Sequence, residues 1–156
     1  MSGSRLVAFR ESLTPVFRLW WRLSRPMTLG VRAIIEDEQG RVCLVRHTYK
    51  QGLFLPGGGV ERGESIPQAL CKECREEVGA DPEAFELIGV FRHPGFRGDH
   101  IVLYRVRRWR SCPTDSAGEI AERLWVDPLD PPEDATPATL RRLAELYAGQ
   151  APAVDW

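Results

Sequence analysis

Apolar and polar positions along the chain change period several times, and each change marks an element. Val31 to Glu36 and Arg41 to Arg46 are short β-rich runs joined by Asp37-Glu38-Gln39-Gly40, a pattern that predicts a β-hairpin. After the loop His47 to Gly52, Leu53 to Leu55 predicts a further short strand. Phe85 to His93 and His100 to Arg107 predict two strands around the loop Pro94 to Asp99, and Leu124 to Val126 a last one. Helices are predicted over Leu13 to Ser24, entered through Thr14 and Pro15, over Ser65 to Val78, stopped by Gly79, and over Pro137 to Tyr147. Strands and helices mix and most strand connections are tight. This implies an α+β fold or a mixed-sheet sandwich with helices packed on the sheet.

Composition narrows the classes. The chain has 156 residues, enough for one domain with a real core, and a net charge of -1 gives no bulk electrostatic case for nucleic acid as a partner. The four cysteines (Cys43, Cys71, Cys74, Cys112) do not form the pattern of a disulfide scaffold, so a cytoplasmic location is the expectation. No apolar run is long enough to span a bilayer.

The segment Ser65 to Val78 carries the chemistry. At helical spacing Glu73, Glu76 and Glu77 share one face, while Cys71, Cys74 and Val78 share the other with Leu70 at its edge. The cysteines therefore read as small buried hydrophobes, not as a zinc or redox pair. The carboxylates repel one another by a few tenths of a kcal/mol per pair, roughly, and sit at the helix end that disfavours anions. A solvated acidic face is one reading. Just upstream, Gly57-Gly58-Gly59 lets the backbone approach a ligand closely, and clustered carboxylates suit hard divalent cations. Together these features point to a metal-bridged phosphate site.

Gly58, five residues, Glu64, seven residues and then Lys72-Glu73-Cys74-Arg75-Glu76-Glu77-Val78-Gly79-Ala80 resemble the Nudix box, G-x5-E-x7-R-E-U-x-E-E-x-G-U, in which U is a bulky aliphatic residue. The glycines and all four glutamates match; Lys72 stands for the usual arginine, and Cys74 and Ala80 are smaller than usual. The resemblance implies a Nudix fold, a mixed β-sheet and a smaller antiparallel sheet sandwiched between α-helices, over residues 28–150, with 1–27 as an N-terminal extension. It implies hydrolysis of a nucleoside diphosphate linked to another group, or of a nucleoside triphosphate, by water attack on phosphorus. By the same resemblance Glu73, Glu76 and Glu77 bind Mg²⁺ or Mn²⁺, the Gly58 carbonyl adds to them, and Glu64 supports the loop and helix.

A general base is expected outside the box. Glu119 is the first choice and Glu122 the second. Arg46, Tyr49 and Arg97 are nominated for substrate, with His47, Arg92, His93 and Phe96 near the expected cleft. Lys72 keeps charge but lacks arginine's planar fork, which leaves open a catalytically weak binding or regulatory module. In the extension, Val16, Phe17, Trp20 and Leu23 form an apolar helical face opposite Arg18, Arg22 and Arg25. Such a segment suits a membrane surface, a partner, its own domain or a second subunit, so a homodimer is also open.

Overall fold

A computed structural model describes residues 27–95, 98–116 and 118–156. The helix expected over Leu13 to Ser24, and Phe96 and Arg97, lie outside the described residues. β1 (Thr28–Ile35) runs parallel to β4 (Asp99–Ser111), and β3 (Ala80–Arg92) lies antiparallel on the other side of β4. The result is a mixed sheet in the order β1-β4-β3. β2 (Val42–His47) and β5 (Ile120–Val126) form a separate antiparallel pair. With α1 (Ile66–Glu73) and α2 (Pro137–Tyr147) this is the α+β arrangement expected from the sequence.

The turn at Asp37 to Gly40 forms, with Asp37 Oδ1 accepting from the N–H groups of Gln39 and Arg41 at 3.0 and 2.8 Å. It does not make the expected hairpin. Glu36 and Val42 bridge once, and β1 and β2 then part into different sheets. Both strands carry apolar residues on both faces, so each needs cover on both sides, which a hairpin with one solvent face cannot give. Val31, Ala33 and Ile35 of β1 pack with Cys43 of β2 and with Ala69, Leu70 and Cys74. Ile34 and Leu44 face the second cluster, with Leu53, Leu55, Leu103 and Leu143 of α2.

The helix expected to run unbroken from Ser65 to Val78 is two pieces. Ser65 caps α1 in a reciprocal box with Gln68. After Glu73 the chain widens into a π-helical turn, Cys74–Val78, closed by Gly79 at φ 78°. The turn brings Glu77 inward as well as Cys74: Glu77 is 6% exposed and Cys74 0%. Cys71, expected to be buried, is only half-buried. β3 begins at Ala80, five residues before the expected Phe85, because its antiparallel register with β4 extends to Ser111 and overrides the weak strand preference of Asp81-Pro82-Glu83. β5 starts at Ile120, four residues earlier than Leu124, through its pairing with β2 as far as His47.

The segment after α2 folds back onto β3. Arg92 pairs with Asp155 at 2.7 Å, and the Trp156 N–H donates to the Arg92 carbonyl at 2.8 Å. Beneath it Arg142 is 1% exposed, donates to Glu145 at 2.7 Å and lies 3.9 Å above the Phe91 ring. A buried pair resists loss of one partner more than replacement by an apolar shape. Glu145→Ala should cost about 3 kcal/mol in urea unfolding, and the double replacement Arg142→Met/Glu145→Leu less than about 1 kcal/mol.

Candidate active site

The glycine loop is fastened to β1 before it meets any carboxylate. The Val31 N–H donates to the Gly58 carbonyl and the Ala33 N–H to the Pro56 carbonyl, each at 2.9 Å. Gly57 sits at φ 139°, and a Cβ there would fall 2.1 Å from the Val31 carbonyl oxygen. Its N–H, turned inward, donates to Glu77 Oε2 at 2.8 Å. At Gly58 the space a Cβ would need is taken by Glu73, whose Oε1 would be 2.4 Å away. The two glycines thus let two acidic side chains reach the loop.

Glu73, Glu76, Glu77 and Glu119 line one cavity of about 210 Å³, together with Asp115 and Ser116. It adjoins a cleft of about 500 Å³ that shares Glu73, Glu77 and Glu119 and adds Arg32, His47 and Tyr49. Beyond Arg32 and Lys50 lies a pocket of about 400 Å³ with Phe54, Arg141 and Trp156 on its wall and, among the described residues, no acidic group in its lining.

Burial sets the electrostatics. It pushes Glu77 up to about 7, against the Gly57 N–H and the Arg32 charge, which pull the other way. Burial also raises Glu73. Arg32 is held below the usual arginine range by its own burial, although Glu77 and Glu73 favour its charge. Its Nη1 donates to the Leu55 carbonyl at 3.3 Å and to the Gly57 carbonyl. His47 is buried, and its Nδ1 lies 3.9 Å from Glu77 Oε1 without a hydrogen-bond partner. The unfavourable helix end is offset by Arg123, which donates from Nε to the Glu77 carbonyl and from Nη2 to Ser116 Oγ at 3.3 Å.

The other nominated residues separate. The Gly58 carbonyl already accepts from Val31, which leaves one lone pair for a cation. Glu122 is turned to Arg46 at 3.0 Å, and Arg46 also holds Asp134 at 2.8 Å, outside the cavity and the cleft. Tyr49 lines the cleft and is 61% exposed. Arg97 lies outside the described residues. Arg92 is spent on Asp155, and His93 lines the acid-free pocket. Lys72 reaches Glu61 and Glu64 at 3.1 and 3.3 Å, not Glu73, while Arg75 pairs with Asp81 at 3.2 Å. Sequence reasoning missed Arg32 and Arg123. The available signal was an arginine set inside an apolar strand run, in VRAII and ERLWV.

The donor set, carboxylate oxygens with a backbone carbonyl beside them, suits a hard divalent cation. A carboxylate raised by burial is the kind of group that a bound cation stabilises. Among the described residues no three acidic, histidine or cysteine side chains yet converge on one point at ligand spacing.

The NUDIX domain model matches residues 26–147, and the chain belongs to that family. It is similar to the 8-oxo-dGTP diphosphatase of Escherichia coli (strain K12), 31% identical over 121 residues that cover 70% of this chain and 93% of that protein. It also resembles the RNA pyrophosphohydrolase of Marinomonas sp. (strain MWYL1), 36% identical over 63 residues, 40% of this chain and 39% of that one. The crystal structure of a MutT NUDIX hydrolase from Burkholderia pseudomallei superposes with a TM-score of 0.65 at 26% identity, covering 76% of this chain and 97% of that one. The protein is a hydrolase acting on phosphoanhydride bonds.

The two glycines give a paired test. Gly57→Ala forces a Cβ against rigid backbone at positive φ and should lower stability by about 2 kcal/mol or more. Gly58→Ala meets only the movable end of Glu73. It should change stability by less than about 1 kcal/mol yet lower turnover about tenfold or more, read by thermal unfolding and phosphate release.

Proposed function

We propose that the protein is a divalent-metal-dependent pyrophosphohydrolase in which Glu73, Glu76 and Glu77 hold the cation and Glu119 serves as general base. The observation that carries this reading is that these four glutamates, 46 positions apart at their extremes, line a single cavity. A bound Mg²⁺ or Mn²⁺ would neutralise diphosphate charge and polarise the bonds to phosphorus. The chain's own groups do the rest. Gly57 fixes one oxygen of Glu77, leaving the other toward His47. Arg32 holds the loop through the Gly57 carbonyl and lines the cleft as a fixed positive charge for phosphate. Glu119, shared by cavity and cleft, takes the proton of the attacking water.

The substrate we infer is a nucleoside triphosphate or a nucleoside diphosphate derivative. Its phosphates lie along Arg32 and Lys50, and its organic end lies in the acid-free pocket beside Phe54 and Trp156. The activities of the two relatives, on 8-oxo-dGTP and on RNA, share that chemistry and no single base. Lys72 lends no support to a binding-only module: it pairs with Glu61 and Glu64, and its charge still favours the ionised form of Glu73 without a forked contact. We read residues 28–150 as the catalytic domain and 1–27 as an extension to it. All four cysteines are free thiols, which supports work in the reducing cytoplasm.

Hydrolysis of a panel of nucleoside triphosphates and diphosphate derivatives, with Mg²⁺ or Mn²⁺, tests the reading. Glu77→Gln and Glu119→Gln should each lower kcat by roughly two to four orders of magnitude, whereas Glu122→Gln should lower it less than about threefold. Full activity in Glu77→Gln would reject the assignment. Loss in Glu122→Gln with activity kept in Glu119→Gln would move the base.

A further inference from the structure

Among the described residues, one apolar surface of the sheet is left uncovered. Cross-strand partners project to the same face, so Val31, Val102 and Val90 form one row, Ala33, Tyr104 and Leu87 the next, and Ile35, Val106 and Phe85 the third. At the β1 end these rows lie under α1 through Ala69, Leu70 and Cys74. At the β3 end nothing among the described residues covers them. Phe85, Leu87 and Val90 are 38%, 54% and 56% exposed. Leu87 and Val90 are three positions apart and would face opposite ways in a regular strand. The register shift between Leu87 and Gly89 returns Val90 to the face of Leu87. The irregularity thus gathers three large apolar side chains on one side of a sheet edge, next to Tyr104, which meets Phe85 edge-on at 5.4 Å.

We propose that this face is the docking surface for the chain's own residues 13–24. Their Val16, Phe17, Trp20 and Leu23 recur at helical spacing and have no role in the catalytic reading. The point of attachment fits. β1 starts at Thr28 opposite Asp99, and Arg92 of β3 pairs with the neighbouring His100, so residues 13–24 join the sheet at the Val90 end of the strip. Crossing from β1 to β3 takes two strand spacings, about 10 Å, and residues 25–27 reach about that far when extended. A twelve-residue helix is about 18 Å long, and the strip from Val90 to Phe85 spans four residues of β4, about 14 Å. The docked segment buries its apolar stripe and leaves Arg18 and Arg22 in water.

Limited trypsin digestion of the full chain, with cleavage after Arg18 and Arg22 followed by mass spectrometry, tests the proposal. Leu87→Lys/Val90→Lys should speed cleavage at these sites about tenfold or more, because it opens the docked segment without touching it. Phe17→Ser/Trp20→Ser should produce the same acceleration from the other side of the contact. It should also make Leu87→Ser/Val90→Ser silent in thermal unfolding, which alone lowers Tm by a few degrees, roughly. Unchanged cleavage in Leu87→Lys/Val90→Lys would overturn the proposal. Protection that disappears on dilution would also overturn it, by giving the face to a second copy.

Discussion

The hydrogen bond from the Gly57 N–H to Glu77 is the constraint on which the site depends. It ties the glycine loop, itself zipped onto β1, to the π-helical turn that follows α1. It also places a carboxylate where burial drives it up to about 7. Keeping that group ionised in the cation-free protein costs on the order of 3 kcal/mol relative to an ordinary glutamate. Such a site gains from any cation that arrives. The surrounding architecture serves this bond: α1 is anchored by Ala69 and Leu70 and the turn by Cys74, Gly79 ends the turn, and Arg123 of β5 donates to the Glu77 carbonyl.

The same geometry explains a division of labour among the charges. The cavity is acidic, the cleft beside it carries both signs, and the pocket beyond Arg32 and Lys50 has no acidic group in its lining among the described residues. A substrate with a diphosphate at one end and a heterocycle at the other meets those environments in order. Among the described residues most other arginines are committed to structural pairs, such as Arg46 with Glu122 and Asp134, Arg92 with Asp155, and Arg110 with Asp81 and Glu83. Arg32 and Lys50, by contrast, line the cleft.

How far the sequence carried is clearest residue by residue. The spacing of Glu73, Glu76 and Glu77 after the glycines was legible because it is local and periodic, and Pro137 to Tyr147 emerged as a helix with its expected bounds for the same reason. The placement of Glu119 in the same cavity was legible only through a family resemblance, since it lies 42 positions after Glu77. The false hairpin at Asp37 to Gly40 had correct turn chemistry, but the choice of sheet is made by burial on both faces, which a local pattern does not report. The π-helical turn was invisible because its five residues have ordinary helical composition. Arg32 and Arg123 were missed because an arginine in a strand reads as an outward-facing residue until the fold supplies its carbonyl partners.

The central claim is that the acidic cavity is a cation site organised by the buried Glu77. Titration of Mn²⁺ into the purified protein, with free ion followed by electron paramagnetic resonance, reads that claim without any substrate. The account predicts saturable binding in the wild type and binding weakened at least about tenfold in Glu77→Gln, with unfolding by heat still cooperative. Equal Mn²⁺ affinity in the two proteins would show that the ion is held elsewhere and would contradict the account.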